Sequence, residues 1–377
     1  MDRLRAAVFG MGVGVRHASA YLARPDVEAI AMCSRRGLVP QSATALREVP
    51  VYTDADRMLD EFRPHAVSIC TPPASHLALC QAAASRGIHV LVEKPMAPTT
   101  AACEEMIRTC RRTGVVLMVA HKKRFAPPLV ELRGLTATDG TLGPVRQLTA
   151  HYRHGDMVES EWFWRDDDGG GPLLENHVHT ADTIGYLVGL PERVYAEAAS
   201  RFAPARLSEP TVAGYVARFA GRHDGDGDAL VTVSYGMIGP VPFSPLCDER
   251  WSFACERGAA EVVGPFERPD TLRWTPRQGL DGPVHERSWP QVDLFSLEVA
   301  HFLDCVRTGV PPRADGLAGL RAVAFCLAVK ESVRSGGIQS FSHDGLAHGP
   351  AAGGAAAIVD AEAPRGEPRP GCDVRDS

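Results

Sequence analysis

Apolar positions in the first third of the chain fall into short dense runs separated by stretches of helical spacing. Leu4 to Phe9, Val27 to Ser34, Ala66 to Thr71, Ile88 to Glu93 and Val115 to Ala120 predict buried strands. Between them Val15 to Arg24, Ala55 to Phe62, Ser75 to Arg86 and Thr100 to Thr113 predict helices. The punctuation agrees. Pro25 stops the first helix, Thr53 and Asp54 are N-cap candidates for the second, and Gly87 and Gly114 close the third and fourth. Strand–helix alternation at this spacing means parallel βαβ units.

After Arg124 the rhythm changes. Strand-like runs recur at Val145–Tyr152, Arg193–Ala199, Val212–Phe219, Leu230–Tyr235 and Arg250–Cys255, interrupted by one strong helix at Leu173 to Val188. Phe295–Thr308 and Leu317–Ser335 read as two closing helices. The expected architecture is therefore an α/β unit over residues 1–124, then an α+β unit with a mostly antiparallel open sheet over 125–341. Residues 342–377, rich in Ala, Gly and Pro, are expected to be a disordered tail.

Composition narrows the function classes. The 377 residues carry 40 basic and 46 acidic side chains, a net charge of −6, which argues against a nucleic-acid or acidic-membrane partner recognised by bulk charge. No apolar run reaches the length of about 18 residues that a membrane span needs. The stretch from Ala6 to Val15 is interrupted by glycines and followed by Arg16 and His17, so it reads as a strand and turn rather than a signal peptide. Ten cysteines without Cys-x-x-Cys spacing suit reduced thiols, and a cytoplasmic setting is expected. Only Lys94, Lys122, Lys123 and Lys330 break an otherwise all-arginine set of basic residues.

Gly10-Met11-Gly12-Val13-Gly14 follows the first strand and opens a helix. Glycines there let backbone N–H groups approach a pyrophosphate at a helix N-terminus, as in a Rossmann dinucleotide-binding domain. The third glycine comes one residue earlier than in Gly-x-Gly-x-x-Gly. The second strand ends in Ser34-Arg35-Arg36 with no carboxylate for a ribose 2′-hydroxyl. Hydroxyl and guanidinium donors suit a 2′-phosphate, so NADP is expected in preference to NAD.

The segments Val67-Ser68-Ile69-Cys70-Thr71-Pro72-Pro73 with His76, Gly87 to Met96 containing Glu93-Lys94-Pro95, and Gly169-Gly170-Gly171-Pro172-Leu173-Leu174-Glu175 with His179 and Asp182 carry a further signal. Together they resemble the glucose–fructose oxidoreductase / inositol dehydrogenase / rhizopine-catabolism (Gfo/Idh/MocA) family, from about Leu4 to Phe341. The resemblance implies a two-domain NAD(P)-dependent oxidoreductase of sugars, amino sugars, cyclitols or nucleotide-linked sugars. It also implies self-association through the open sheet, as a homodimer or homotetramer.

By that resemblance Lys94 and His179 are the polarising and acid/base groups. Thr71, Pro72, Pro73, His76 and Glu93 are implied at the cofactor end of the cleft. Lys122 and Arg165 are implied near the cofactor or an anionic substrate group, and Trp164 beside the substrate. Independently of the family, a lysine at the end of a parallel strand can stabilise a developing alkoxide. Glu175 and His179, four apart, share a face if Leu173 to Val188 is one helix, and Glu175 is then expected to orient His179, with Asp182 nearby. His177 either adds a donor or packs. His177 and His179 do not face one way on a helix, so no metal is expected. Two alternatives share the fold: a redox-assisted glycosidase or lyase, and a non-catalytic cofactor-sensing binding protein.

Overall fold

The structure, a computed structural model, describes residues 3–37, 40–154, 161–165, 169–199, 212–223, 226–237, 247–265, 269–277 and 282–347. Over residues 4–119 six strands alternate with helices: β1 (Leu4–Phe9), α1 (Gly14–Leu22), β2 (Val27–Cys33), β3 (Val51–Tyr52), α2 (Ala55–Phe62), β4 (Ala66–Ile69), α3 (His76–Ala84), β5 (His89–Val92), α4 (Thr100–Thr113) and β6 (Leu117–Val119). The strands form one sheet in the order β3-β2-β1-β4-β5-β6, every pair parallel. β4 is buried throughout and β1 and β5 nearly so, as expected of a sheet covered by helices on both faces. The helix boundaries follow local chemistry. Asp54 accepts from the Arg57 N–H at 2.7 Å and Thr99 from the Ala102 N–H at 3.2 Å, caps worth about 1 kcal/mol each. Two-residue β3 is the one strand here without an expected counterpart.

Strand order reverses between β1 and β4, and this switch point is where an open parallel sheet binds its ligand. Register puts the carboxyl ends level: Phe9 pairs with Cys33 and Ile69, and Ile69 with Val92. The following loops, 10–13, 34–36, 70–73 and 93–94, therefore emerge side by side.

The rest of the described chain contains α5 (Pro127–Leu135), β7 (Val145–His154), α6 (Glu161–Trp164), α7 (Pro172–Glu175), α8 (Val178–Leu187), β8 (Leu190–Ala199), β9 (Val212–Ala220), β10 (Ala229–Met237), β11 (Cys247–Cys255), β12 (Gly258–Pro265), β13 (Thr271–Pro276), β14 (His285–Ser288), α9 (Leu294–Thr308), α10 (Gly316–Ser335) and β15 (Gln339–Ser340). Nine strands form a second sheet in the order β14-β13-β12-β11-β7-β10-β9-β8-β15, antiparallel except for the β7–β10 pair. One face packs inward through Ala213, Tyr215, Ala217 and Phe219, while Val216 on β9 points outward. α10 packs on α8 and β8, and α9 returns to lie on α1 beside the glycine loop. Of the tail expected from 342, residues 342–347 instead form a turn closed by the Ser342 N–H on the Leu346 carbonyl at 2.8 Å. Residues 348–377 lie outside the described residues.

Candidate functional site

The loop after β1 sets the floor of a cleft of about 540 Å³. Gly10 has φ +99°, and a Cβ there would stand 2.3 Å from the Cys70 carbonyl oxygen, so only glycine lets the loop cross beneath β4. A Cβ on Gly12 would meet nothing within 4 Å, which leaves the loop open to the cleft. Among the described residues no backbone carbonyl takes the N–H groups of Met11, Gly12 or Val13, which precede α1. Open N–H donors at a helix N-terminus, with room for close approach, fit the pyrophosphate of a nicotinamide dinucleotide.

Ser34, Arg35 and Arg36 line one end of this cleft, and Thr71, Pro72 and Pro73 line its wall. Both arginines are exposed and neither pairs with a carboxylate among the described residues. At the other end Glu93, Lys94, Lys122, Glu175 and His179 come together. The Lys122 ammonium sits 4.6 Å from the centre of the Phe295 ring, on α9. The Lys94–Pro95 peptide is cis.

Glu175 has a different partner from the one its spacing suggests. The backbone does not continue as one helix from Leu173 to Val188. α7 ends at Glu175, Asn176 and His177 form a turn, and α8 starts at Val178. The i, i+4 relation to His179 on one helical face is thereby lost. The Glu175 carboxylate instead accepts from Lys94 Nζ at 2.7 Å, and its carbonyl accepts from the same atom at 3.2 Å. Asp182, three residues after His179 on α8, holds Arg124 through both carboxylate oxygens, with Nε at 2.9 Å from Oδ2 and Nη2 at 2.7 Å from Oδ1. His179 itself is buried and lines the cleft.

Other expected residues are placed elsewhere. His76 is buried behind the Thr71 loop, its Nε2 2.7 Å from the Thr71 carbonyl and its Nδ1 3.2 Å from that of Met96, so it ties two loops rather than facing the cleft. Burial holds its imidazole below the usual histidine range. Gly14 begins α1, with Val8 and Cys70 beside its Cα, rather than lining the cleft. Trp164 packs edge-on against Phe163 at 4.9 Å, and Trp162, one α6 position pair earlier, is the tryptophan that lines the cleft. Arg165 is exposed and outside the lining, although its carbonyl accepts from the Gly169 and Gly170 N–H groups. His177 packs: it is fully buried, edge-on to Tyr215 and Tyr235, with Nε2 3.1 Å from the Tyr215 hydroxyl. Burial pushes its imidazole down to about 3.

Beneath the cleft lies a buried polar cluster that the sequence reading missed. His17 Nε2 is 3.0 Å from Glu93 Oε1 and 3.9 Å from Glu298 Oε1, and Glu93 Oε2 accepts from the Lys94 N–H at 3.0 Å. Burial pushes the Glu93 carboxyl up, but the His17 hydrogen bond, with His17, Lys94 and Lys122 as nearby charges, outweighs it and holds Glu93 below the ordinary carboxylate range. An ionised Glu93 can only accept, so His17 Nε2 donates. Glu298 goes the other way. Burial first, and the Glu93 charge next, raise it well above the usual range, and among the described residues neither of its oxygens has a hydrogen-bond partner. Phe295 and Glu298 lie more than 270 residues after His17, and α9 alone brings them there.

A parallel sheet with an open glycine loop at its switch point, facing helices α6, α7 and α8 of a second unit built on a mostly antiparallel sheet, defines an oxidoreductase of the NAD-binding Rossmann class. Residues 4–121 match the oxidoreductase family with the NAD-binding Rossmann fold, and residues 134–261 match the GFO/IDH/MocA C-terminal domain. The chain belongs to the Gfo/Idh/MocA oxidoreductase family. It is 34% identical over 193 residues to D-glucoside 3-dehydrogenase of Escherichia coli, a match spanning 50% of this chain and 55% of that relative. It is 24% identical over 327 residues to an NADP-dependent D-xylose 1-dehydrogenase of Haloferax volcanii, 86% of this chain and 95% of the relative. Its fold is similar to that of an oxidoreductase domain protein from Kribbella flavida, with TM-score 0.78 and 21% identity, covering 90% of this chain and 99% of the other. No helix among the described residues is long and apolar enough to cross a membrane.

Proposed function

We propose that the protein is an NAD(P)-dependent dehydrogenase acting on a secondary alcohol, or the corresponding ketone, of a sugar, amino sugar, cyclitol or nucleotide-linked sugar. The observation that carries this reading is the meeting of Lys94, held by Glu175 at 2.7 Å, and His179 in the cleft that the glycine loop floors. When bound, the nicotinamide supplies the hydride acceptor or donor. Lys94 donates to the substrate oxygen and stabilises the negative charge that develops there. His179 takes the hydroxyl proton during oxidation and returns one during reduction. Glu175 is a positioning residue: its carboxylate fixes the Lys94 ammonium.

NADP is the preferred cofactor in this proposal. Ser34, Arg35 and Arg36 offer donors and no carboxylate at the ribose end, and the Haloferax volcanii relative uses NADP. The enzyme works as a homo-oligomer in the cytoplasm. Two observations favour this: Tyr195, Val216 and Leu230 leave apolar surface on neighbouring strands of the nine-stranded sheet, and eight cysteines among the described residues are free thiols.

A turnover screen with both cofactors against ketosugars and inositols tests the activity. Lys94→Ala is expected to lower kcat by about 10²–10³ with little change in cofactor affinity. Unchanged turnover in that variant removes Lys94 from the mechanism.

A further inference from the structure

A second cavity, of about 440 Å³, opens beside α8, and its lining shares no residue with the dinucleotide cleft. Four arginines reach it, Arg124, Arg133, Arg222 and Arg321, against two carboxylates, Asp182 and Asp315. Both carboxylates are committed. Asp182 grips Arg124, and Asp315 caps α10 by accepting from the Ala318 N–H at 2.9 Å. Arg133 and Arg222 are half-buried and adjacent, since Arg222 Nη1 lies 3.3 Å from the Arg133 carbonyl.

Neither has a carboxylate partner among the described residues. Arg133 lies 4.2 Å from the centre of the Tyr186 ring and donates to the Tyr186 carbonyl; Arg222 donates to the Thr136 carbonyl. Asp226, whose charge acts on Arg222, is buried and occupied by the Thr138 hydroxyl at 2.7 Å and the His223 N–H at 3.0 Å. Arg321 donates to the Asp344 carbonyl, again not to an acid. Burial holds both the Arg133 and Arg222 guanidinium groups below their usual range, and each has a neighbouring arginine that adds to the effect. The Asp226 charge offsets neither Arg133 nor the mutual repulsion of the pair, so an anion that accepts from the donors the backbone carbonyls leave over relieves the cost of burying them. Leu190, Pro191, Phe219 and Phe325 give the rest of the wall an apolar part, and His223 and Tyr186 also line it.

We infer that this cavity is a second anion site, built to take a phosphate dianion between Arg133 and Arg222. The volume beyond the arginines also accommodates a monosaccharide, so free phosphate and a sugar phosphate are two sources of one chemistry. Arg222 spends Nη1 and Nη2 on the Arg133 and Thr136 carbonyls and Arg133 spends Nη1 on the Tyr186 carbonyl, which leaves the Nε–Nη2 edge of Arg133 and Nε of Arg222 as donors for phosphate oxygens.

The test is isothermal titration calorimetry on the full chain saturated with NADP, so that the dinucleotide cleft is filled. Inorganic phosphate and glucose 6-phosphate are titrated separately at constant ionic strength. The expected result is one saturable site, with affinity at least tenfold weaker in Arg222→Met. Tighter binding of glucose 6-phosphate assigns the sugar-bearing source, and equal binding assigns free phosphate. Arg222→Lys, which keeps the charge but loses the Nη1 and Nη2 bonds to the Arg133 and Thr136 carbonyls, is expected to bind several-fold more weakly while its circular dichroism and its NADP affinity stay those of the parent, which separates lost binding from lost folding. Absence of saturable binding for both probes, or binding that survives both substitutions unchanged, overturns the inference.

Discussion

Glu298→Gln isolates the cost of the buried carboxyl beneath the cleft. Glu298 is fully buried, its oxygens have no hydrogen-bond partner among the described residues, and ionised Glu93 stands behind the same imidazole. Its folded-state value is raised well above the ordinary one, with burial the first cause. In the unfolded chain it ionises near the usual glutamate value of about 4.3. Between those two values the unfolded chain holds one proton fewer than the folded protein. Stability from this group is therefore fully present below about pH 4.3 and is lost as pH rises towards the folded value, by about 1.4 kcal/mol per pH unit. Glutamine keeps the shape and removes the titration.

Between pH 5.5 and 7.5 the variant should gain up to about 2.7 kcal/mol on the parent. Urea unfolding of both proteins at each pH measures it, as midpoint times slope. Packing differences between Glu and Gln do not depend on pH and cancel in the comparison, as do the other titrating groups. A stability difference that is the same at both pH values refutes the assignment of a neutral Glu298.

Three other substitutions test the frame around it. Asp182→Asn leaves the Arg124 guanidinium without its carboxylate partner and should cost about 3–5 kcal/mol in the same unfolding assay; a loss under about 1 kcal/mol would show that Arg124 finds another partner. Gly10→Ala forces a Cβ to 2.3 Å from the Cys70 carbonyl at φ +99°, so dinucleotide affinity, followed by fluorescence titration, should fall at least about tenfold; wild-type affinity would mean that the loop moves freely. Arg36→Ala should weaken NADP binding about tenfold and leave NAD binding near its starting value, and equal losses for both cofactors would remove Arg36 from 2′-phosphate recognition.

What the chain discloses in one dimension divides along physical lines. The parallel sheet was legible because its strands are buried on both faces and its helices carry caps and closing glycines, so pattern and propensity agree. β14, His-Glu-Arg-Ser, is fully exposed and has no apolar alternation to reveal it, and β12 opens on Gly-Ala-Ala, which signals no strand. Both are strands because β11 and β13 offer them a ladder. Phe295 and Glu298 could not have been placed in the cleft from local signals, since only the packing of α9 on α1 carries them there.

The exchange of partners at Glu175 shows how much one turn decides. Helical periodicity from Leu173 to Val188 puts Glu175 and His179 on one face, and the residue types invite a carboxylate–imidazole pair. After Gly171, at φ +70°, the chain makes a single turn: the Asn176 and His177 N–H groups both donate to the Pro172 carbonyl, and the ladder restarts from His177. That interruption releases Glu175 to Lys94 while His179 stays buried against the cleft. Lys94 and His179 both line the cleft, and the Glu175 carboxylate serves the ammonium. In the proposed mechanism Glu175→Ala should therefore lower kcat through the Lys94 ammonium and leave the acid/base limb of the pH–rate profile in place; a shift of that limb with kcat unchanged would assign Glu175 to His179 instead.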